Sequence, residues 1–176
     1  MRKFYLILIS LFFVISCSNN KKETHILDFK RFTIEVPKNW KKIKLKGIDS
    51  QVGGIISNDN DTMFFDLGMY SWDLKQIELL NNSIMIPKES ENPFESIDSA
   101  LLIQDSLRQI KKWDTISGYF SKIVSPRNTG DGVTGIYIDS LNSAKIRFNL
   151  YGIDLKPKNE EILLEAIQTI KFNMKD

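Results

Sequence analysis

Hydrophobic and polar positions alternate along much of this chain, beginning at Phe32. Phe32, Ile34 and Val36 fall on one side, with Arg31, Thr33 and Glu35 on the other. That two-residue period is the mark of a half-buried strand. Pro37 stops the strand, and Trp40 follows a turn. Ile43 and Leu45 then alternate with Lys42, Lys44 and Lys46, and Gly47 and the Gly53-Gly54 pair punctuate a further strand over 52–57. Asn58-Asp59-Asn60-Asp61 has the composition of a hairpin turn. The return strand covers 63–70, with Phe65 and Leu67 opposite Phe64 and Asp66. Residues 71–93, with Pro87 and Pro93, read as irregular. Over 97–113, Ile97, Leu101 and Leu102 recur at helical spacing and suggest a partly helical stretch.

The second half repeats the strand pattern. Strands are expected over 119–124, 133–138 and 145–155, the last with Ile146, Phe148 and Leu150 opposite Arg147, Asn149 and Tyr151. A glycine-rich loop covers 127–132 and a turn covers 139–143. Near the end, Ile162, Leu163, Ala166, Ile167 and Ile170 form an apolar stripe at helical spacing, with Glu160, Glu161 and Glu165 off it. Asn159 is the expected N-cap, with acids in the first turn. Together these elements predict an α+β fold: an antiparallel β-sheet flanked by helices, closed by a C-terminal amphipathic helix.

The start of the chain has a different character. Met1-Arg2-Lys3 leads into a run that is apolar from Phe4 to Ile15 apart from Ser10, and the run closes on Val14-Ile15-Ser16-Cys17. A charged start, an apolar middle and a small residue before the cut is the layout of a secretory signal. Twelve helical residues reach roughly 18 Å against about 30 Å of hydrocarbon, too short to span a bilayer. The closing four residues resemble the lipobox of bacterial lipoproteins, in which the cysteine is acylated and becomes the new N-terminus. Cys17 is the only cysteine, so acylation also accounts for a thiol with no disulfide partner. The resemblance implies three acyl chains. At about 0.8 kcal/mol per buried CH₂ these anchor stably. Ser18 stands where an aspartate would favour inner-membrane retention in enterobacterial lipoproteins, so the outer membrane is the expected location. The expected organisation is a signal over 1–16, a flexible tether over 17–28 and one globular domain over 29–176.

Loss of residues 1–16 removes Arg2 and Lys3, so 24 − 2 = 22 basic residues face 22 acidic ones. A charge-neutral mature chain argues against a nucleic-acid binder, which needs a basic footprint. His25 is the only histidine and is expected to be an ordinary tether residue. With no second histidine and no free thiol, Ser-His-Asp, Cys-His and His/Cys zinc sites are excluded.

Gly130, Gly132 and Gly135 match the dinucleotide fingerprint by letter, but that fingerprint needs a following helix and 136–138 reads as a strand. Asp59, Asn60 and Asp61 could offer oxygens to calcium, yet the glycine and late glutamate of a calcium loop are missing, so a turn is favoured. Asp49, Asp66 and Asp154 adjoin turns or strand ends, and any two brought together could do glycosidase chemistry; aspartates bonding their own turns are the commoner case. Lys38, Lys41, Lys42, Lys44 and Lys46 form a basic stripe that could meet anionic headgroups or an acidic partner; a solvated strand face that discourages edge pairing is favoured. Trp40, Trp72, Trp113, Tyr70, Tyr119, Tyr137 and Tyr151 divide between core and a possible groove. Asp is followed by Ser or Thr at Asp49, Asp61, Asp98, Asp105, Asp114 and Asp139, a pattern that resembles an O-glycosylation acceptor of some bacteria; turn chemistry is the alternative.

Several phrases are similar to a known group. They are Phe32-Thr33-Ile34-Glu35-Val36-Pro37-Lys38-Asn39-Trp40, Gly47-Ile48-Asp49-Ser50-Gln51-Val52-Gly53, Phe65-Asp66-Leu67-Gly68, Gly130-Asp131-Gly132-Val133-Thr134-Gly135 and Glu165-Ala166-Ile167-Gln168-Thr169-Ile170-Lys171-Phe172. Over roughly 29–172 these resemble a group of uncharacterised Gram-negative lipoproteins, and the strand-Pro-x-x-Trp opening resembles PsbP-like domains. The resemblance implies an α/β/α sandwich and an extrinsic binding or assembly role. It transfers no functional residue. The expected function is therefore a lipid-anchored cell-envelope binding or assembly module without catalysis, cofactor or metal. Its expected partners are the membrane, through Cys17, and an envelope protein. A carboxylate-dependent envelope hydrolase, acting on glycans or esters, is the alternative.

Overall fold

The computed structural model describes residues 23–81, 108–143 and 145–174, and among these described residues ten strands and two helices build the fold. Cys17, the signal-like segment, Asp98, Asp105 and the stretch 82–107 lie outside the described residues. The elements in chain order are β1 (Thr24–Asp28), β2 (Phe32–Pro37), β3 (Lys41–Lys44), β4 (Gln51–Ile56), β5 (Thr62–Gly68) and α1 (Leu74–Asn81). After these come β6 (Gln109–Ile116), β7 (Tyr119–Pro126), β8 (Val133–Ile138), β9 (Arg147–Ile153), α2 (Pro157–Ile167) and β10 (Lys171–Phe172).

Two antiparallel sheets result. The larger has the order β3-β4-β5-β9-β8-β7-β6, and the smaller has the order β1-β2-β10. Strand β9 lies between β5 and β8, so the first-half hairpin and the second-half meander join along β9. Alternation sorts the large sheet into two faces. Met63, Phe65, Leu67, Ile136, Ile138, Phe148 and Leu150 point inward, where Phe32, Ile34 and Val36 of β2 and Leu163 and Ile167 of α2 cover them. The rings of Phe29, Phe32, Phe65 and Phe148 meet at centroid distances of 4.7 to 5.0 Å, the offset and edge-on contacts that aromatic quadrupoles favour. On the outer face, Leu74 and Ile77 of α1 pack on Val124, Val133 and Tyr137.

Four sequence expectations need correction. The tether reading reached residue 28, yet Thr24–Asp28 pairs with β2 in the register Thr24↔Pro37 to Asp28↔Thr33. Leu27 is buried there, and His25 Nε2 lies 3.1 Å from the Trp40 carbonyl oxygen, so His25 belongs to a sheet. The segment 109–116 is an edge strand paired with β7, where a helical stretch was expected. Residues 74–81 are helical, within a segment read as irregular. There the Lys75 N–H donates to Asp73 Oδ1 at 3.0 Å and the Asp73 N–H donates to Gln76 Oε1 at 3.1 Å, the reciprocal pairing of a capping box. Finally, α2 is capped at Lys156 without a side-chain bond and carries Pro157 in its first turn. Asn159 is buried inside that helix.

Candidate functional site

The outer face of β5 and β9 is polar and aromatic where it is not covered by α1. The register sets Phe64 opposite Tyr151 and Asp66 opposite Asn149, and Val52 of β4 opposite Asp66. After β5 the chain turns, with Ser71 Oγ donating to the Gly68 carbonyl at 3.2 Å. It then returns across this face through Tyr70 and Trp72 to the start of α1. Asn149 ties the return in place. Its Nδ2 donates to the Trp72 carbonyl at 2.9 Å, while its Oδ1 accepts the Asp66 N–H at 2.9 Å. Asn149 is itself buried, so both bonds are shielded from water.

These residues enclose a cavity of about 500 Å³, within the usual span of small-ligand sites. Phe64, Tyr70, Trp72 and Tyr151 supply its rings, Ile77 and Val52 its apolar walls, and Leu45 and Lys46 its rim near β3. Tyr70 is 73% exposed and Trp72 50% exposed, so two large rings present open faces at the entrance. Asp66 is the one carboxylate among the described residues lining the cavity. Its Oδ1 is screened from solvent and has no hydrogen-bond partner among the described residues. Burial raises the Tyr151 hydroxyl above its ordinary pKa, and the negative charge of Asp66 adds to the shift.

The three candidate aspartates are not brought to one place. Asp49 is exposed and lines a second cavity of about 900 Å³, which meets the first along Leu45, Val52 and Phe65. Asp154 Oδ1 accepts the Gly132 N–H at 2.8 Å, so it holds the glycine-rich loop. In that loop the Gly130 N–H donates to Glu160 Oε2 at 2.9 Å and the Val133 N–H to Glu78 Oε2 at 2.8 Å. Three carboxylates thus occupy the N–H groups that a phosphate would need, and Gly135 continues into strand β8 rather than a helix.

The other candidates also resolve into structural roles. Asp59 and Asp61 each accept from Asn159 Nδ2 at 2.8 Å, which binds the 57–61 turn to α2. Bonds from the Ser57 hydroxyl and Asn159 lower the Asp59 carboxyl to about 2. Among the described residues no group of three His, Cys, Asp or Glu side chains is arranged to hold a metal ion. Lys41, Lys42 and Lys44 are exposed along the edge strand β3, and Lys38 pairs with Glu23 at 3.0 Å. Of the seven aromatic candidates, Tyr70, Trp72 and Tyr151 meet in the cavity. Trp40 is core, Tyr137 is buried beneath α1, and Tyr119 packs on Phe172. Trp113 stacks on Phe120 near the opposite edge of the large sheet at 5.0 Å. Phe64 and Asn149 complete the cavity without having been singled out. The alternation on β9 placed Asn149 and Tyr151 on one face, but nothing in it told which strand would lie alongside.

Among the described residues no helix is long and apolar enough to cross a membrane. No family model matches the chain, and no curated protein matches it. Among solved structures it is similar to the solution structure of cyanobacterial PsbP (CyanoP) from Synechocystis sp. PCC 6803. That likeness has a TM-score of 0.46 and 10% sequence identity, covering 91% of this chain and 99% of that chain.

Proposed function

We propose that this chain is a lipid-anchored cell-envelope lipoprotein whose folded part is a non-catalytic binding or assembly module. In this reading residues 1–16 are the signal, acylated Cys17 holds the protein in the outer membrane, and an envelope protein is the partner. The fold is read as a PsbP-like α/β/α sandwich, in which α1 and the C-terminal amphipathic helix α2 flank the large sheet.

The observation that carries the binding role is the aromatic cavity, with Asp66 as the one carboxylate lining it among the described residues. Glycoside hydrolysis needs two carboxyl groups about 5 to 9.5 Å apart across the scissile bond. Asp66 and Asp49 open into different cavities, and Asp154 is engaged by the Gly132 N–H. Open tyrosine and tryptophan faces are the side chains that anchor interfaces, because each presents a large rigid area with a polar tip.

Two measurements test the reading. The intact mass of protein taken from its own membranes should carry the acyl mass at Cys17, and Cys17→Ser should leave the membrane fraction. Asp49→Asn, Asp66→Asn and Asp154→Asn should be compared with the wild type on envelope glycans and esters. Hydrolysis by the wild type that disappears in one of these variants would replace the binding role with an enzymatic one.

A further inference from the structure

We propose that the aromatic cavity takes an ammonium group on an apolar stem, in the manner of a lysine side chain of a partner, with Asp66 as its counter-charge. The inference rests on reading this cavity as the binding site and names the chemistry of what enters it.

Three observations converge on a cation. A carboxylate has about four lone-pair sites, and Asp66 lines the cavity with one oxygen both screened from water and without a donor. Shielded acceptors without partners are rare in folded proteins because leaving one unpaired costs about 1–3 kcal/mol. The carboxyl torsion is broad and two-fold, so either oxygen can turn toward a donor in the cavity. Next, the walls are aromatic. Phe64, Tyr70, Trp72 and Tyr151 surround the same space, and ring faces attract cations through their quadrupoles. Last, Asp66 and Tyr151 lie on the same face of paired strands, and the negative charge of Asp66 opposes ionisation of the Tyr151 hydroxyl.

The other charged group on the lining is Lys46, which is exposed on the rim. Its four-carbon stem lets its ammonium stay in water. Among the described residues Asp66 has no ion-pair partner, so the carboxylate is left for a ligand. An anionic ligand would instead meet Asp66 at the cavity wall and be repelled.

The test uses the mature full-length protein purified from membranes in detergent. The probe is the capped tripeptide Gly-Lys-Gly, compared with the same peptide carrying norleucine, which keeps the stem and lacks the charge. Binding is read as the saturable change in Trp72 fluorescence, identified as the part missing in Trp72→Phe. The lysine peptide should bind about tenfold or more tighter than the norleucine peptide, the ratio given by one charge-assisted contact. Asp66→Asn should remove that difference without changing norleucine binding, and Asp49→Asn should leave both unchanged. Unchanged thermal unfolding of Asp66→Asn separates lost binding from lost folding. Equal saturable binding of the two peptides, or full discrimination in Asp66→Asn, overturns the ammonium assignment while the cavity stands as a binding site. Absence of binding by either peptide overturns the assignment too, and cross-linking in cells then decides the cavity itself.

Discussion

Replacing Asn149 with alanine should loosen the fold and the candidate site together. Asn149 is buried and makes two bonds with its side chain, accepting the Asp66 N–H and donating to the Trp72 carbonyl, each at 2.9 Å. Truncation leaves one backbone donor and one backbone acceptor without partners. Each such group costs about 1–3 kcal/mol when shielded. The space left by the amide admits water to one of them, so the net expectation is about 2–3 kcal/mol. In a domain of this size that lowers Tm by about 4–12 °C. Urea denaturation gives the free-energy difference directly, and an unchanged slope with a lower midpoint shows that stability alone moved. The Trp72 segment should be released as well, shifting its emission to the red. Asn149→Asp keeps the acceptor but replaces the donor with a charge beside Asp66, so it should be at least as damaging at neutral pH. A change within about 0.5 kcal/mol of wild type for Asn149→Ala, the ordinary range for surface substitutions, would refute the claim that this amide holds the cavity together.

Two further outcomes follow from the same structure. Bonds from Ser57 and Asn159 hold the Asp59 carboxyl down at about 2 in the folded chain, below its ordinary value of about 3.9. The unfolded chain therefore binds more protons between those values. Its contribution to stability is full above about pH 4 and is lost as pH falls through about 2. The stability difference between wild type and Asp59→Asn should shrink over that window, and a difference that is flat across it would contradict the assignment. In β8, a Cβ at Gly135 would strike the Leu150 carbonyl and meet Tyr151 Cα and Cβ at 2.8 Å. Gly135→Ala should cost about 3 kcal/mol, the upper end for overpacking, because the atoms met are mostly backbone of a central strand. Gly118→Ala has open space around its Cβ but a φ of +86°, so it should cost only about 1–2 kcal/mol. Chemical denaturation that orders the two variants the other way would show the packing account to be wrong.

The strands were legible where one face is buried and the other wet. In β2, β5 and β9 the apolar side chains fall at every second position because the inner face must meet the second layer. Strand β1 follows the same rule through His25 and Leu27, with Phe29 just beyond its end, but its polar neighbours give it the look of a tether. Strand β6 hides for a different reason. It is an edge strand, exposed from Ile110 to Trp113, so burial imposed no period on it. Helix α1 carried its signal in Asp73 and Gln76, a capping box, but its eight residues are too few to show a clear period. Asn159 looked like a helix cap by its residue type, yet Pro157 set the helix start earlier and left Asn159 to bind the Asp59 turn. The site was legible only in part. Asp66, Tyr70, Trp72 and Tyr151 are residue types that attract notice, but their convergence depends on β9 inserting beside β5, a pairing of residues about 80 positions apart in the chain. Local sequence does not encode such a long-range closure. Asn149 has no motif at all, and its role exists only once β5, β9 and the Trp72 segment are assembled.

Site-specific photo-cross-linking in intact cells tests whether partners meet this cavity, with the reactive group placed at Tyr70 on the cavity rim and, separately, at Phe120 near the opposite edge of the large sheet. A discrete cross-linked product is expected from position 70, weakened when Asp66 becomes Asn, with none from position 120. A product from position 120 with nothing at 70 would place the working surface elsewhere and overturn the proposed binding site.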